Sequence, residues 1–181
     1  MKLLIFEGID GAGKTTIAKK LYEYLLSQGI PTTFYKEPHH DIPPNSSPFT
    51  QMLFFTASRS WLFENHIKPD LQQGKVVILD RSFISTLAYQ CLLGGVDLTL
   101  TLELNKKILN DIKFYVFYLD LPPEIAHQRK PELNLKTLEK LRNAYLQLLK
   151  GKAYIINASN ELDKVFSEVK LIADEIVRAT L

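Results

Sequence analysis

The sequence predicts an α/β protein in three layers, a five-stranded parallel sheet with helices on both faces. Three observations carry that expectation. Short apolar runs alternate with longer stretches of helical period. The runs "VVIL" and "YVFYL" are apolar at successive positions, as suits strands covered on both faces, and "GIDGAGKT" joins the first run to the first helix.

The strands expected are Leu3 to Phe6, Thr32 to Tyr35, Val76 to Leu79, Tyr115 to Leu119 and Tyr154 to Ile156. A first helix runs from Thr15 to Gln28, stopped by Gly29 and Pro31. A second runs from about Phe49 to Gln73, ended by Gly74 and bent near Pro69, which has no N–H to give. Others follow Ser82, Leu98, Pro123 and Leu135. The last starts near Asn160, where Glu161 and Asp163 favour the positive end, and Val165, Phe166, Val169, Ile172, Ala173 and Ile176 form its apolar face. The four prolines of "PHHDIPPNSSP" read as a surface loop.

At 181 residues and 46% hydrophobic, the chain suits one domain spanning 1–181. Its formal charge of +2, from 22 basic and 20 acidic residues, gives no footprint for nucleic acid or anionic lipid. Cys91 has no internal disulfide partner, and the N-terminus carries a short apolar strand instead of a charged leader, so a cytoplasmic setting is expected. No apolar stretch approaches the roughly 20 residues that cross a bilayer.

"GIDGAGKT" fits G-x-x-x-x-G-K-[ST] through Gly8, Gly13, Lys14 and Thr15, with a strand before it and a helix after. This is the signature of the P-loop NTPase fold. Backbone N–H groups across Gly8, Ile9, Asp10, Gly11, Ala12, Gly13, Lys14, Thr15 and Thr16 can turn inward around the phosphates of ATP, where the helix N-terminus adds partial positive charge. Lys14 can reach the β and γ phosphates and the Thr15 hydroxyl can ligate Mg²⁺. A glycine-rich turn needed only for packing is the bland alternative.

Such a site needs an acid at a neighbouring strand end, and "VVILDRS" supplies Asp80, able to hold Mg²⁺ or its water shell. Arg81 follows, and its guanidinium can bridge donor and acceptor phosphates. Taken alone, the pair also fits a local ion pair that caps the next helix.

With these motifs in hand, the sequence resembles the thymidylate kinase family nearly end to end. The stretches "FEGIDGAGKTT", "KEP", "LFFTASRSWLFENHIKPDL" and "VVILDRSFISTLAYQ" carry the resemblance, and "LEKLRNAYLQL" followed by "INAS" extends it more weakly. It implies transfer of the γ-phosphoryl of MgATP to dTMP, with Lys14, Arg81 and Asp10 as the catalytic set and a homodimer packed through helices that include the one near Phe49. It also implies that Phe55 stacks on thymine and that Arg59 donates to its O4. Their spacing of four residues agrees, since it sets both on one helical face. The alternative makes Phe54, Phe55, Trp61, Leu62 and Phe63 all core, with Arg59 snorkelling to solvent. Phe54 and Leu62 are expected in the core.

By the same resemblance Ser85 and Thr86 meet the pyrimidine edge, Tyr89 lies beneath the sugar and Gln90 adds a polar contact. Lys36 would hold the monophosphate, Asp10 would approach the 3′-hydroxyl and the metal region, and Glu37 and Pro38 would shape that side. The chain also departs from the family pattern. Ser82 replaces an aromatic residue, His39 and His40 replace two glycines, and Lys36 stands where arginine is usual. His39 and His40 read as loop residues without a role. The lid, about 129–135, is short, and Gly11 stands where some members carry arginine. Arg129, Lys130 and, more weakly, Lys136 are therefore the candidate lid cations; the alternative is a solvated basic turn.

Overall fold

The computed structural model describes residues 1–179. The strands are β1 (Lys2–Glu7), β2 (Thr32–Lys36), β3 (Val76–Asp80), β4 (Phe114–Asp120) and β5 (Tyr154–Asn157), all parallel, in the order β2-β3-β1-β4-β5. Each expected strand is present and longer by one or two residues. Leu3, Leu4, Ile5 and Phe6 are fully buried, as are Val77, Ile78 and Leu79, so the consecutive apolar runs do mark strands covered on both faces.

Strand order and the right-handed crossover rule distribute the helices. The step from β1 to β2 runs against all later steps, so α1 (Lys14–Ser27) covers one face, where α8 (Leu162–Arg178) packs beside it. The opposite face takes α2 (Pro48–Leu62), α3 (Lys68–Gln72), α4 (Phe83–Thr86), α5 (Leu98–Leu109), α6 (Pro123–Arg129) and α7 (Leu135–Leu149). Because β1 and β4 send their chains in opposite directions, their carboxyl ends flank a crevice, the usual ligand site of such sheets.

The helix expected from Phe49 to Gln73 is corrected in one respect. Its irregularity lies before Pro69, in a π-helical turn over Phe63–Ile67 that separates α2 from α3. Proline cannot donate to the carbonyl four residues back, and the wider turn absorbs that loss upstream. The last helix begins at Leu162, with Glu161 as N-cap, two residues after Asn160.

Phe54 is also corrected, because it is 43% exposed and not part of the core. Met52, Thr56, Arg59 and Leu62 form the buried stripe of α2, and two residues past Met52 the helix has turned about 200°. Leu62 is buried as expected.

Candidate functional site

At the carboxyl end of β1 the chain makes its glycine turn and enters α1. Gly13 caps that helix with φ 86°, and Gly11 has φ 89° with the position of a Cβ only 2.9 Å from the Ala126 carbonyl oxygen. The buried Lys14 ammonium donates to the carbonyls of Gly8 at 2.8 Å and Ile9 at 3.2 Å. Burial chiefly, and then the Arg81 guanidinium, lower its pKa to about 7 against the pull of Asp10, Glu7 and Asp80. A polyphosphate in the turn would supply the negative charge this ammonium lacks. Ile9 and Ala12 are buried under the turn, and Thr16 is exposed in the first turn of α1.

Register brings the metal candidates to the same place. Asp80 pairs level with Phe6 on one side and Lys36 on the other. The Thr15 hydroxyl donates to Asp80 Oδ2, and Lys36 Nζ lies 4.0 Å from that oxygen. Asp80 Oδ1 is buried without a protein partner among the described residues. An unpartnered buried carboxylate oxygen beside a hydroxyl suits a hard divalent cation. No group of three or more His, Cys, Asp or Glu among the described residues could hold an ion. Mg²⁺ needs no such cage, since it keeps waters and phosphate oxygens in its shell.

Beside the turn lies a cavity of about 190 Å³. Phe55 and Arg59 of α2 form one wall; Thr86, Tyr89 and Gln90 form another, from the end of α4 and a second π-helical turn at Leu87–Leu93. Glu37 and Pro38 close a side, while Asp10 and Arg81 face the phosphate turn. The expected substrate contacts therefore converge on one space, except Lys36, which is exposed and outside its lining.

Arg59 does not snorkel. Its side chain is 2% exposed; Nε donates to Glu37 at 2.9 Å, Nη1 to Asn105 at 2.9 Å and Nη2 to Thr86 at 3.0 Å. With Nη2 also 2.7 Å from Glu37 Oε2, an Nη1–H remains as the uncommitted donor. Burial raises the Glu37 pKa, and the Arg59 charge opposes that shift. The Thr86 hydroxyl, which accepts from Arg59, keeps its own proton for the cavity. The Ser85 hydroxyl instead turns inward, donating to Glu7 Oε2 at 2.7 Å and lying 2.9 Å from Tyr145 Oη.

Arg81 holds left-handed backbone at φ 70°, a costly conformation for a non-glycine residue. Its guanidinium pairs with Asp10 and lies 5.8 Å from the Tyr89 ring centroid. Burial disfavours its charge, but Tyr145, Tyr89, Asp10 and Glu7 outweigh that effect and raise its pKa. The Tyr89 hydroxyl is buried with no partner among the described residues.

Glu7, to which the sequence assigns no role, organises the start of α4 beside the cavity. Its Oε1 accepts from Ser82 N–H at 2.9 Å, Ser82 Oγ at 2.7 Å and Ser85 N–H at 3.2 Å, and its Oε2 accepts from Tyr145 Oη at 3.2 Å. Ser82 also caps α4 through Ile84 N–H at 3.2 Å. Ser82 thereby ties α4 to the end of β1. An acid closing the otherwise apolar run "LLIF" was the available signal.

On the donor side, Arg129 Nη1 donates to the Gly11 carbonyl at 3.2 Å. A hollow of about 180 Å³ beside Gly13 is lined by Arg129, Ala158, Asn160 and Leu162. Of these, sequence reading singled out Arg129 alone as a nucleotide contact. Lys130 pairs with Glu132 at 3.5 Å and Lys136 is exposed. His39 stacks on Trp61 at 5.3 Å, and His40 Nδ1 lies 3.0 Å from Ser58 Oγ.

Fold and site together define a phosphotransferase of the P-loop class, with a nucleotide turn beside a base-sized cavity. The family model described as thymidylate kinase matches residues 6–43 and 44–169. The chain is 34% identical to the thymidylate kinase of Thermosipho africanus, over 95% of this chain and 97% of that one. It is 33% identical to the probable thymidylate kinase of Staphylothermus marinus, over 96% of each. The crystal structure of the thymidylate kinase from Ehrlichia chaffeensis superposes with a TM-score of 0.80 at 27% identity, over 95% of this chain and 98% of that one. The chain belongs to the thymidylate kinase family.

Proposed function

We propose that this chain phosphorylates dTMP with MgATP, giving dTDP and ADP. One observation carries the reading. Asp10 belongs both to the phosphate turn and to the wall of the acceptor cavity, and its carboxylate holds Arg81 at the boundary. An oxygen of the acceptor phosphate attacks the γ-phosphorus, the bond to the β-phosphate bridging oxygen breaks, and ADP leaves with that electron pair.

Lys14 would exchange the Gly8 and Ile9 carbonyls for phosphate oxygens, and Arg81 would meet the charge that develops in transfer. Arg129 covers the donor from α6, and Lys36 approaches the acceptor phosphate as a point charge. Mg²⁺, held by Asp80 and Thr15, would neutralise phosphate charge. On the base, Phe55 supplies a stacking face and the remaining Arg59 N–H a donor for thymine O4. The cytosine amino group cannot accept that bond, so the mismatch leaves a buried donor unpaired.

The chain acts as a single domain across 1–181, in the cytoplasm, as a homodimer. Exposed Phe49, Leu53, Phe54 and Trp61 on α2 support the last assignment. No helix among the described residues is long and apolar enough to cross a membrane. The test is a coupled ADP-release assay across nucleoside monophosphates. We expect kcat/KM for dTMP to exceed that for dCMP on the order of 10⁴-fold. Tight binding of dTMP and MgATP without dTDP would overturn the reading, as would preference for another acceptor.

A further inference from the structure

A second cavity, of about 610 Å³, lies away from the nucleotide site. Phe114 and Val116 of β4, Phe83 of α4, Leu102 of α5 and Leu148 of α7 line it, so it lies between these helices and the sheet, and it shares no lining residue with the first cavity. The volume is that of a small-molecule site. Phe83, Leu87, Leu98, Leu102, Phe114 and Leu148 make the lining chiefly apolar. Two exposed lysines, Lys106 and Lys152, also line it, and neither is in an ion pair among the described residues.

An apolar chamber with two unpaired ammonium groups at its rim selects one kind of molecule: an apolar body carrying an anionic group. Asn105 lies in the same wall and is 1% exposed. Its Oδ1 accepts from Arg59 Nη1 at 2.9 Å, while its Nδ2 donates to the Thr101 carbonyl at 2.8 Å. One residue thus lines this cavity and, through its side chain, holds the arginine of the acceptor cavity.

We propose that this cavity binds an amphipathic monoanion, such as an aromatic or long-chain carboxylate or sulfonate, and that occupancy acts on the acceptor site through Asn105 and Arg59. The binding site rests on the cavity alone; its effect on dTMP rests also on the proposed kinase activity. Coupling through one hydrogen-bonded side chain changes the affinities of both ligands by the same factor.

The probe is 8-anilinonaphthalene-1-sulfonate, followed by fluorescence with the full chain. One saturable site per chain is expected, displaced by neither dTMP nor MgATP. Lys106→Ala with Lys152→Ala should weaken binding at least about tenfold, the scale of a lost charge-assisted contact, with kcat unchanged. Leu102→Trp should abolish binding by filling the space. Saturating probe should shift the KM for dTMP at least about fivefold, the lower end of the usual range of coupling energies, and not in Leu102→Trp. If Leu102→Trp does not fold, the surface lysine pair still decides the matter.

Displacement by either nucleotide, several sites per chain, or binding insensitive to the lysine pair overturns the site. Loss of binding on concentrating the protein into a dimer also overturns it, by making the cavity a subunit surface. Binding as expected with an unmoved KM overturns the coupling alone, and absence of turnover with dTMP defeats the kinase reading while the binding result stands.

Discussion

Arg59 and Glu37 form an ion pair sealed from solvent, with Nη2 2.7 Å from Oε2 and side chains 2% and 5% exposed. It ties α2 to the segment leaving β2, and so fixes the wall of the acceptor cavity before any ligand arrives. Removing one partner of such a pair leaves an uncompensated buried charge, at a cost of about 3–5 kcal/mol. Arg59→Met should lose that much in urea unfolding, and the double variant with Glu37→Gln should lose less than the sum of the singles. Additive losses would mean that the two side chains are not coupled.

Arg81 combines strained backbone with a charge at the site boundary. Arg81→Ala should lower kcat on the order of 10³-fold and leave ATP affinity within about threefold, as expected for a group that acts mainly in the transition state. Arg81→Gly should be as inactive yet more stable than the alanine variant by about 1 kcal/mol, because glycine accepts φ 70° without strain. Normal turnover in the alanine variant would remove Arg81 from the mechanism.

Gly11 is locked by its surroundings. A side chain there meets the Ala126 carbonyl at 2.9 Å and must hold φ 89°. Gly11→Arg should therefore destabilise the fold by about 1–3 kcal/mol and weaken ATP binding. A thermal melt and an ATP titration of that variant decide the question; unchanged stability with a gain in rate would contradict it.

Trp61, the single tryptophan, is surrounded by His39, His40 and His66 at ring-centroid distances of 5.3, 4.9 and 5.2 Å. Burial first, then the charges of His40 and His66, lower the His39 pKa below its ordinary 6.5. The unfolded chain thus binds a proton that folded His39 resists, so the contribution of this group to stability is full above pH 6.5 and is lost as pH falls through the lowered value. Imidazolium quenches indole, so Trp61 emission should drop over the same window. His39→Gln should shrink the drop; an identical titration would exclude His39 as its source.

The sheet, the phosphate turn and the Asp80–Arg81 pair were legible because each is written locally, in consecutive apolar residues or in glycines at fixed spacing. Phe55 and Arg59 were legible through their four-residue spacing and the family resemblance. Phe54 was misread because an aromatic beside a buried stripe looks the same in sequence on either side of it. That the Ser85 hydroxyl turns inward was not legible, since Glu7 and Tyr145, the groups it meets, are contributed by distant elements.

The sequence alone determined which strands lie buried on both faces, where the glycine turn joins the first strand to the first helix and which acid ends the neighbouring strand. Those properties follow from hydrophobic period and backbone freedom within a few residues. Tertiary structure alone decided that Glu7 anchors α4, that Arg59 gives most of its donors to the protein and that Asn105 joins two cavities. These depend on polar groups from separate elements meeting where water is excluded, and each unpaired group there costs enough to dictate its partner.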